Sequence, residues 1–157
     1  METMLTKMAS FKVAGLSLET VLKDERESRN ISKLFKAFEN RIYEIKNRKS
    51  DTPIGIFIDP PDYNFETDPF KWITGVEVSS LDEIPKDMES ITIPANTYAY
   101  TTYEGKINKG YQAYDYLYGW LAESEYELAD SYGIERYLEL RDDGTELMNL
   151  MFPVKKK

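Results

Sequence analysis

The segment GIERYLEL, residues 133–140, places an acid and a phenol where they could do chemistry. Its residues alternate in character and it lies between the turn-like stretches DSYG and DDGT, so it is predicted to be a β-strand. Glu135 and Tyr137 share one face of that strand. A carboxylate beside a phenol can attract a cation, or it can activate water while the phenol orients a substrate. Alternation by itself favours a plainer interpretation, the solvated face of an antiparallel sheet.

The residue types that are missing exclude several chemistries. The chain contains neither cysteine nor histidine, which excludes disulfides, thiolate nucleophiles, imidazole metal ligands and a Ser-His-Asp triad. The side chains available for general acid–base catalysis are therefore those of Glu, Asp, Tyr and Lys. RDDGTE at 141–146 lacks the spacing of an EF-hand and is predicted to be a hairpin turn, and EGKINKG at 104–110 lacks the spacing of a phosphate-binding loop. We predict no metal site and no cofactor.

Charge and composition favour a small ligand over a nucleic acid or a membrane. The net charge of −8 argues against phosphate binding, which needs a basic stripe, and an acidic field favours cations. The 12 tyrosines, several of them between Tyr98 and Tyr137, offer apolar faces with polar tips. The first residues lack the apolar run of a signal peptide and no segment approaches the length of a membrane span. We therefore expect a cytoplasmic protein without membrane contact.

Two amphipathic helices are predicted to hold these residues in place. One follows Asn30 as its N-cap and carries apolar residues at helical spacing through residues 31–45. The other begins at Asn108 or Gly110 and ends at the acidic stretch ESEYE. Strands are predicted for the segments at 11–20, 53–58, 72–80, 91–105, 133–140 and 146–154.

The predicted elements repeat along the chain. Each half consists of strand, helix, strand and strand, with equivalent elements roughly 75–80 residues apart. We therefore predict a single domain, residues 1–157, of fold class α+β, built from duplicated βαββ halves with pseudo-repeats at about 8–80 and 90–154. Such halves can form one antiparallel sheet with two helices on one face, and the twist of the sheet makes the opposite, open face concave.

The two faces of the GIERYLEL strand can then be assigned. Successive side chains of a strand point to opposite faces. The side with Ile134, Leu138 and Leu140 suits the helices because it is apolar. Glu135 and Tyr137 are therefore expected to face the open side of the sheet.

An internal alignment suggests what lies opposite the acid. Superposing PIGIF on SYGIE pairs Gly55 with Gly133 and Phe57 with Glu135. A cleft between two such halves would have Phe57 on one side and Glu135 on the other. Phe57 is therefore predicted to contact a ligand that Glu135 binds.

In this order the segments resemble a known family. VAGL, WITGVEV, IPANTYAYTTYEG, YDYLYGWLAESEYELAD, GIERY and FPV follow one another as they do in GyrI-like effector-binding domains, which form the bacterial transcription-activator effector-binding superfamily. The resemblance extends from about Phe11 to Val154. It implies a duplicated βαββ fold with a ligand cleft between the halves. It also implies that the acid of ERY, here Glu135, lies in that cleft and favours cationic, aromatic or lipophilic compounds.

The predicted ligand-binding residues are grouped around that acid. They are Glu135, Tyr137, Tyr98, Tyr100, Phe57, Trp72 and Trp120. Tyr98 and Tyr100 share a strand face, and cross-strand aromatic packing is the alternative for both. Trp120 has the alternative of anchoring its helix in the core. Trp72 follows the long loop at 59–71, which is either a functional lid or a rigid hairpin connection.

Three functions are compatible with this reasoning. The first is a stand-alone small-molecule-binding protein that senses or sequesters toxins or drugs and captures lipophilic, cationic or aromatic compounds. The second, implied by the resemblance, is a hydrolase of strained cyclopropane-bearing alkylating toxins in which Glu135 activates water. The third, also implied by the resemblance, is a gyrase-directed inhibitor-like protein. A regulator or gyrase is thus a possible protein partner. Relatives often carry a DNA-binding helix-turn-helix module ahead of this domain, and the chain has no room for one, so direct control of transcription is not expected. The net charge of −8 leads us to expect no direct nucleic-acid binding.

Overall fold

The structure is a computed structural model that describes residues 1–157. The fold is mixed α+β with antiparallel strand pairs, as predicted. The strands are β1 (Met4–Met8), β2 (Phe11–Val21), β3 (Ile54–Ile58), β4 (Pro69–Val78), β5 (Glu89–Ile93), β6 (Asn96–Lys106), β7 (Tyr126–Leu128), β8 (Tyr132–Leu140) and β9 (Thr145–Lys156). The helices are α1 (Leu22–Ser28), α2 (Asn30–Glu39) and α3 (Tyr111–Glu123), and short 3₁₀ turns occupy Ile42–Glu44 and Ile107–Lys109.

The chain divides into two compact units. The terminal unit combines Met1–Ala9 with Ala95–Lys157, and the central unit is Ser10–Pro94. In the terminal unit the strands are ordered β1-β6-β9-β8, and β7 pairs with β9. In the central unit the order is β3-β4-β2-β5.

The core of the terminal unit lies under α3. This helix buries Ala113, Leu117 and Leu121, which recur at helical spacing. The rings of Tyr114 and Tyr118 pack against Phe152 of β9, with centroids 6.2 and 4.8 Å away. Helix α3 therefore covers the face of the terminal sheet that carries Phe152.

The core of the central unit lies between α2 and its sheet. Its buried cluster consists of Ala14, Phe38, Ile42, Ile45, Val76, Val78 and Met88. On the sheet side, β2 and β4 approach each other closely where Gly15 pairs with Gly75. A β-carbon at Gly15 would lie 2.1 Å from the carbonyl oxygen of Thr74, so no other residue fits this strand pair without moving the backbone.

Each unit arranges its strands in the same way relative to the chain. In the terminal unit β6 is followed by α3, β8 and β9, and β9 lies between β6 and β8. In the central unit β2 is followed by the helices, β3 and β4, and β4 lies between β2 and β3. A duplicated strand–helix–strand–strand unit would give this arrangement in both, although the duplication and a cleft between the halves stay predictions.

The first predicted helix differs from the observed one. The apolar spacing predicted a helix through residues 31–45, yet α2 ends at Glu39, and Asn30 is its first residue rather than its cap. Ile42 and Ile45 are nevertheless buried, because the 3₁₀ turn returns both side chains to the same cluster. The apolar spacing at 31–45 thus indicated which residues are buried and did not indicate one continuous helix.

Three short elements escaped prediction because they bury little of their surface. Helix α1, LKDERES, has no buried residue. Strand β1 is mostly exposed at the edge of the terminal sheet, and β7 has three residues. Periodicity detects elements that bury one face, so elements of this kind are invisible to it. None of the helices in the structure combines the length and the apolar character needed to cross a membrane.

Candidate functional site

Glu135 is held by two phenols. It lies on β8, partly buried, and its Oε1 accepts a hydrogen bond of 2.7 Å from the hydroxyl of Tyr137 on the same strand. Its Oε2 accepts a hydrogen bond from the hydroxyl of Tyr114 on α3. Hydrogen bonds to an ionised carboxylate are stronger than those between neutral groups. The two neutral phenol hydroxyls thus hold the carboxylate of Glu135 in one orientation.

The bond from Tyr114 shows which face of the sheet the acid occupies. The prediction that Glu135 and Tyr137 face away from the helices is wrong, because α3 covers their side. The register agrees: Glu135 pairs with Leu150, which alternates with Phe152 on β9, the residue against which α3 packs.

The prediction failed because both faces of this strand are buried at its start. Ile134 is 0% exposed and Tyr137 is 8% exposed, although they point to opposite faces. A bulge between Tyr137 and Glu139 then interrupts the alternation, and Leu138 and Leu140 are 50% and 39% exposed. Apolar alternation therefore separates the two faces without indicating which one the helix covers.

Burial raises the pKa of Glu135, and the hydrogen bonds from Tyr114 and Tyr137 oppose that rise. Burial and the charge of Glu135 also raise the pKa of Tyr137 well above its ordinary value, so the phenol keeps its proton and remains a donor. No lysine or arginine forms a salt bridge with Glu135. The carboxylate of Glu135 is therefore stabilised by hydrogen bonds from two neutral hydroxyls and has no positively charged partner.

We expect Tyr137→Phe to destabilise the protein in a pH-dependent way. The ring can stay in place, but Glu135 loses a bond that favours its charged form, so its pKa rises further. Losing a hydrogen bond to a charged group costs about 1.5–3 kcal/mol, and losing one to a neutral group costs about 0.5–1.5 kcal/mol. Urea unfolding should show the larger loss at alkaline pH, where the acid is ionised. Tyr100→Phe is the matched control, and an equal, pH-independent loss in both variants would contradict the assignment.

Two residues on this side of the sheet, Tyr114 and Glu146, were not among the predicted site residues. Tyr114 lies within the second predicted helix, and no sequence signal connected it with Glu135. Glu146 was placed both at the end of a predicted turn and at the start of the predicted strand at 146–154, in which Met148 and Leu150 share its face. An acid in register with buried apolar residues is the signal that could have identified it.

Glu146 is one of the most deeply buried acids in the chain. Its side chain is 4% exposed, and its Oε1 lies 3.4 Å from the position that a β-carbon at Gly110 would take, at the start of α3. Burial raises its pKa from an ordinary 4.5 to about 7, and the negative charge of Glu135 adds to the rise. Near neutral pH the Glu146 carboxyl is therefore protonated in about half of the molecules.

We expect Glu146→Gln to stabilise the protein at alkaline pH and to leave it unchanged at acidic pH. The folded pKa lies above the unfolded pKa, so the folded state binds the proton more tightly. Wild-type stability is then highest below the unfolded pKa and is lost as the pH rises through the folded pKa, between about 4.5 and 7. Thermal melting across this range measures the effect, with exposed Glu127→Gln as the control. A variant that melts in parallel with the wild type at every pH would contradict the buried titration.

Tyr98 and Tyr100 lie on the opposite face of the terminal sheet. Their partners on β9 are Pro153 and Met151, whereas the row of Glu135 runs through Leu150. Tyr98 is fully buried and shares a hydrogen bond of 2.7 Å with the hydroxyl of Tyr132. The structure therefore does not bring these two tyrosines together with Glu135.

The remaining predicted residues are Phe57 and Trp72 of the central unit and Trp120 of the terminal unit. In the central unit Phe57 pairs with Trp72 across β3 and β4, and the indole nitrogen of Trp72 donates to the Thr74 hydroxyl at 2.8 Å. Both rings are buried, and a position for Phe57 across from Glu135 stays a prediction. In the terminal unit Trp120 stacks on Tyr126, with ring centroids 5.8 Å apart. No group of three or more acidic side chains is arranged to hold a metal ion.

Comparison with known proteins identifies the domain type. A family model described as the GyrI-like small molecule binding domain matches residues 1–155. No curated protein matches the chain in sequence.

Solved structures share the fold at low sequence identity. An integron cassette protein from Vibrio cholerae, VCH_CASS2, has a TM-score of 0.74 at 15% identity, covering 98% of this chain and 95% of its own. The EcmrR C-terminal domain has a TM-score of 0.74 at 17% identity, covering 99% and 98%. SAV2435, solved with bound tetraphenylphosphonium, has a TM-score of 0.71 at 17% identity, covering 99% and 94%. At these identities the likeness shows the fold.

Proposed function

We propose, from the premise that the chain belongs to the GyrI-like small molecule binding domain family, that it captures lipophilic cations with Glu135 as their anionic partner. One observation carries the proposal. Both oxygens of Glu135 accept phenol hydrogen bonds beneath α3, and no basic side chain pairs with the acid. A positively charged ligand would supply the counter-charge that no side chain provides for Glu135.

The energetics favour a cation over a neutral compound. Burying an ionised carboxylate without a counter-charge is unfavourable, which is why burial raises the pKa of Glu135. A positive charge about 4 Å away is attracted by about 4 kcal/mol at the effective dielectric constant typical near a protein surface. Tyr114 and Tyr137 add aromatic faces, and cation–π contacts contribute about 0.5–2 kcal/mol each. Two independent attractions thus select the same class of ligand.

The relative SAV2435 supports the choice of probe. It was solved bound to tetraphenylphosphonium, a lipophilic cation without hydrogen-bond donors. Such a ligand must be recognised by charge and by aromatic contact, which are the two properties of the Glu135 cluster. Sensing or sequestering toxic compounds in the cytoplasm is the role that we propose for this binding.

The test compares two ligands of the same shape and opposite charge. Tetraphenylphosphonium and tetraphenylborate should be titrated into the wild-type protein by calorimetry or by intrinsic fluorescence. We expect the cation to bind at least about 100-fold more tightly, given the attraction estimated from Coulomb's law. Equal affinity for both ions would contradict a function based on the Glu135 charge.

The same titration separates binding from turnover. The cation should be recovered chemically unchanged by mass spectrometry after prolonged incubation. A hydrolase of strained alkylating toxins and a gyrase-directed role both stay predictions. The first would be indicated by a hydrated product formed from such a toxin, and the second by inhibition of gyrase supercoiling.

A further inference from the structure

A second carboxylate shares the sheet face of Glu135. Glu146 pairs with Leu140, and it alternates along β9 with Met148 and Leu150, the latter being the partner of Glu135. Paired and alternating positions of a sheet lie on the same face. Glu135 and Glu146 are therefore both on the side of the terminal sheet that α3 covers.

The groups that face Glu146 offer it no positive charge. On β8 these are Glu135 and Tyr137, on β6 Tyr103, and at the start of α3 the backbone of Gly110. The side chain of Glu146 makes no salt bridge and no hydrogen bond, although it is 4% exposed. A buried acid of this kind stays neutral by holding a proton unless a cation arrives.

A third polar group on the same face also lacks a partner. Thr101 of β6 pairs with Leu150, as Glu135 does from the other side, so the three residues form one row across the sheet. The Thr101 side chain is 1% exposed and its hydroxyl has no hydrogen-bond partner. Buried polar groups in native proteins are normally satisfied, so an unpartnered hydroxyl in the same row as Glu135 indicates a place that a ligand completes.

We propose that Glu146 is a second anionic anchor of the Glu135 site and that the site selects ligands carrying two positive centres. The inference rests on the proposed function of Glu135. A monocation neutralises one carboxylate, and the other must then keep its proton. A bis-cation neutralises both, and the proton of Glu146 is released to solvent.

The register sets the spacing of the two charges. Glu146 lies four residues along β9 from Leu150, the partner of Glu135, and a strand rises about 3.4 Å per residue. The two backbone positions are thus about 14 Å apart along the strand, and the glutamate side chains can shorten the gap between the carboxylates by several ångströms. Cationic centres separated by a flexible chain of about four to ten carbons span this range.

The test uses alkane-bis(triphenylphosphonium) salts of increasing chain length. Each is compared with the alkyltriphenylphosphonium of the same length, which carries one charge. Wild type, Glu146→Gln and Glu135→Gln are titrated by calorimetry in two buffers of different ionisation enthalpy, so that affinity and proton release are measured together. Glu127→Gln, an exposed acid on β7, is the matched control.

We expect the wild type to bind the best bis-cation at least about 10-fold more tightly than its monocation, with proton release near neutral pH. Glu146→Gln should remove both the preference and the proton release, so that the bis-cation and its monocation bind with affinities within about twofold of each other. A bis-cation preference that survives in Glu146→Gln, or an equal loss for both ligands as expected from a merely structural role at the start of α3, overturns the inference. Binding of the monocation without any bis-cation preference overturns the inference and leaves the proposed function intact. Absence of binding by either ligand overturns the proposed function itself.

Discussion

Glu135→Gln is expected to abolish tight binding of tetraphenylphosphonium while making the unliganded protein more stable. The amide has nearly the same volume as the carboxylate, so the packing beneath α3 can be kept. The charge that attracts the cation is lost, and we expect the dissociation constant to rise at least about 100-fold. Calorimetric titration measures the affinity, and thermal melting without ligand measures the stability.

The gain in stability follows from the raised pKa of Glu135. Burial makes the ionised form unfavourable, and two phenol hydrogen bonds compensate only in part. Stability is therefore highest when the acid is protonated and is lost as the pH rises through its folded pKa. A neutral amide removes that loss, so the variant should melt higher than the wild type at alkaline pH. Residues that serve binding are often destabilising in the free protein.

Glu139→Gln is the matched control for this prediction. It removes a negative charge from the same strand, but its side chain is 55% exposed and pairs with Arg141. Exposed ion pairs contribute about 0–1 kcal/mol, and their field is screened by salt. Binding should therefore change less than about threefold. If Glu135→Gln kept its affinity, or if Glu139→Gln lost as much, net charge rather than the buried acid would explain cation binding.

The sequence predicted the strand and the helix that meet at Glu135, because each of them buries a face. The alternation in GIERYLEL predicted β8, and the apolar spacing from Tyr111 to Leu121 predicted α3. Both depend on local signals, namely periodicity and the residues at the ends of an element, which a single sequence displays directly. Glu135 was selected among many acids through a family resemblance.

The surroundings of Glu135 depend on contacts that no local pattern encodes. Its bond from Tyr114 joins residues 21 apart in the chain and requires that α3 cover one particular face of β8. Because Ile134 and Tyr137 are both buried, hydrophobicity could not decide between the faces. Glu146 is different, since an acid in register with Met148 and Leu150 was visible in the sequence. The Asp-Gly signal just before it predicted the turn, and Glu146 itself belongs to the strand β9 that follows, so its side chain was left unexplained.

Gly15→Ala is expected to prevent the chain from folding. Gly15 pairs with Gly75 where β2 and β4 approach each other closely, and a β-carbon there would lie 2.1 Å from the Thr74 carbonyl oxygen and 2.4 Å from the Gly75 α-carbon. Both obstacles are backbone atoms, so no side-chain rotation relieves the clash and the strands must separate. Losses above about 4 kcal/mol are exceptional for one substitution, and they are a large part of the 5–15 kcal/mol that typically stabilises a domain of about this size.

Gly119→Ala is the matched control, because it makes the same chemical change where space is free. Gly119 lies within α3, and a β-carbon there would meet no atom within 4 Å. Alanine is favoured over glycine inside a helix by about 1 kcal/mol, so this variant should unfold at a higher urea concentration than the wild type. Gly15→Ala should instead yield protein without a cooperative unfolding transition by circular dichroism. A Gly15→Ala variant that unfolds at the wild-type midpoint would mean that β2 and β4 are not held at this distance. Opposite outcomes from one methyl group would show that the strand pair, and not the glycine content of the chain, sets the requirement.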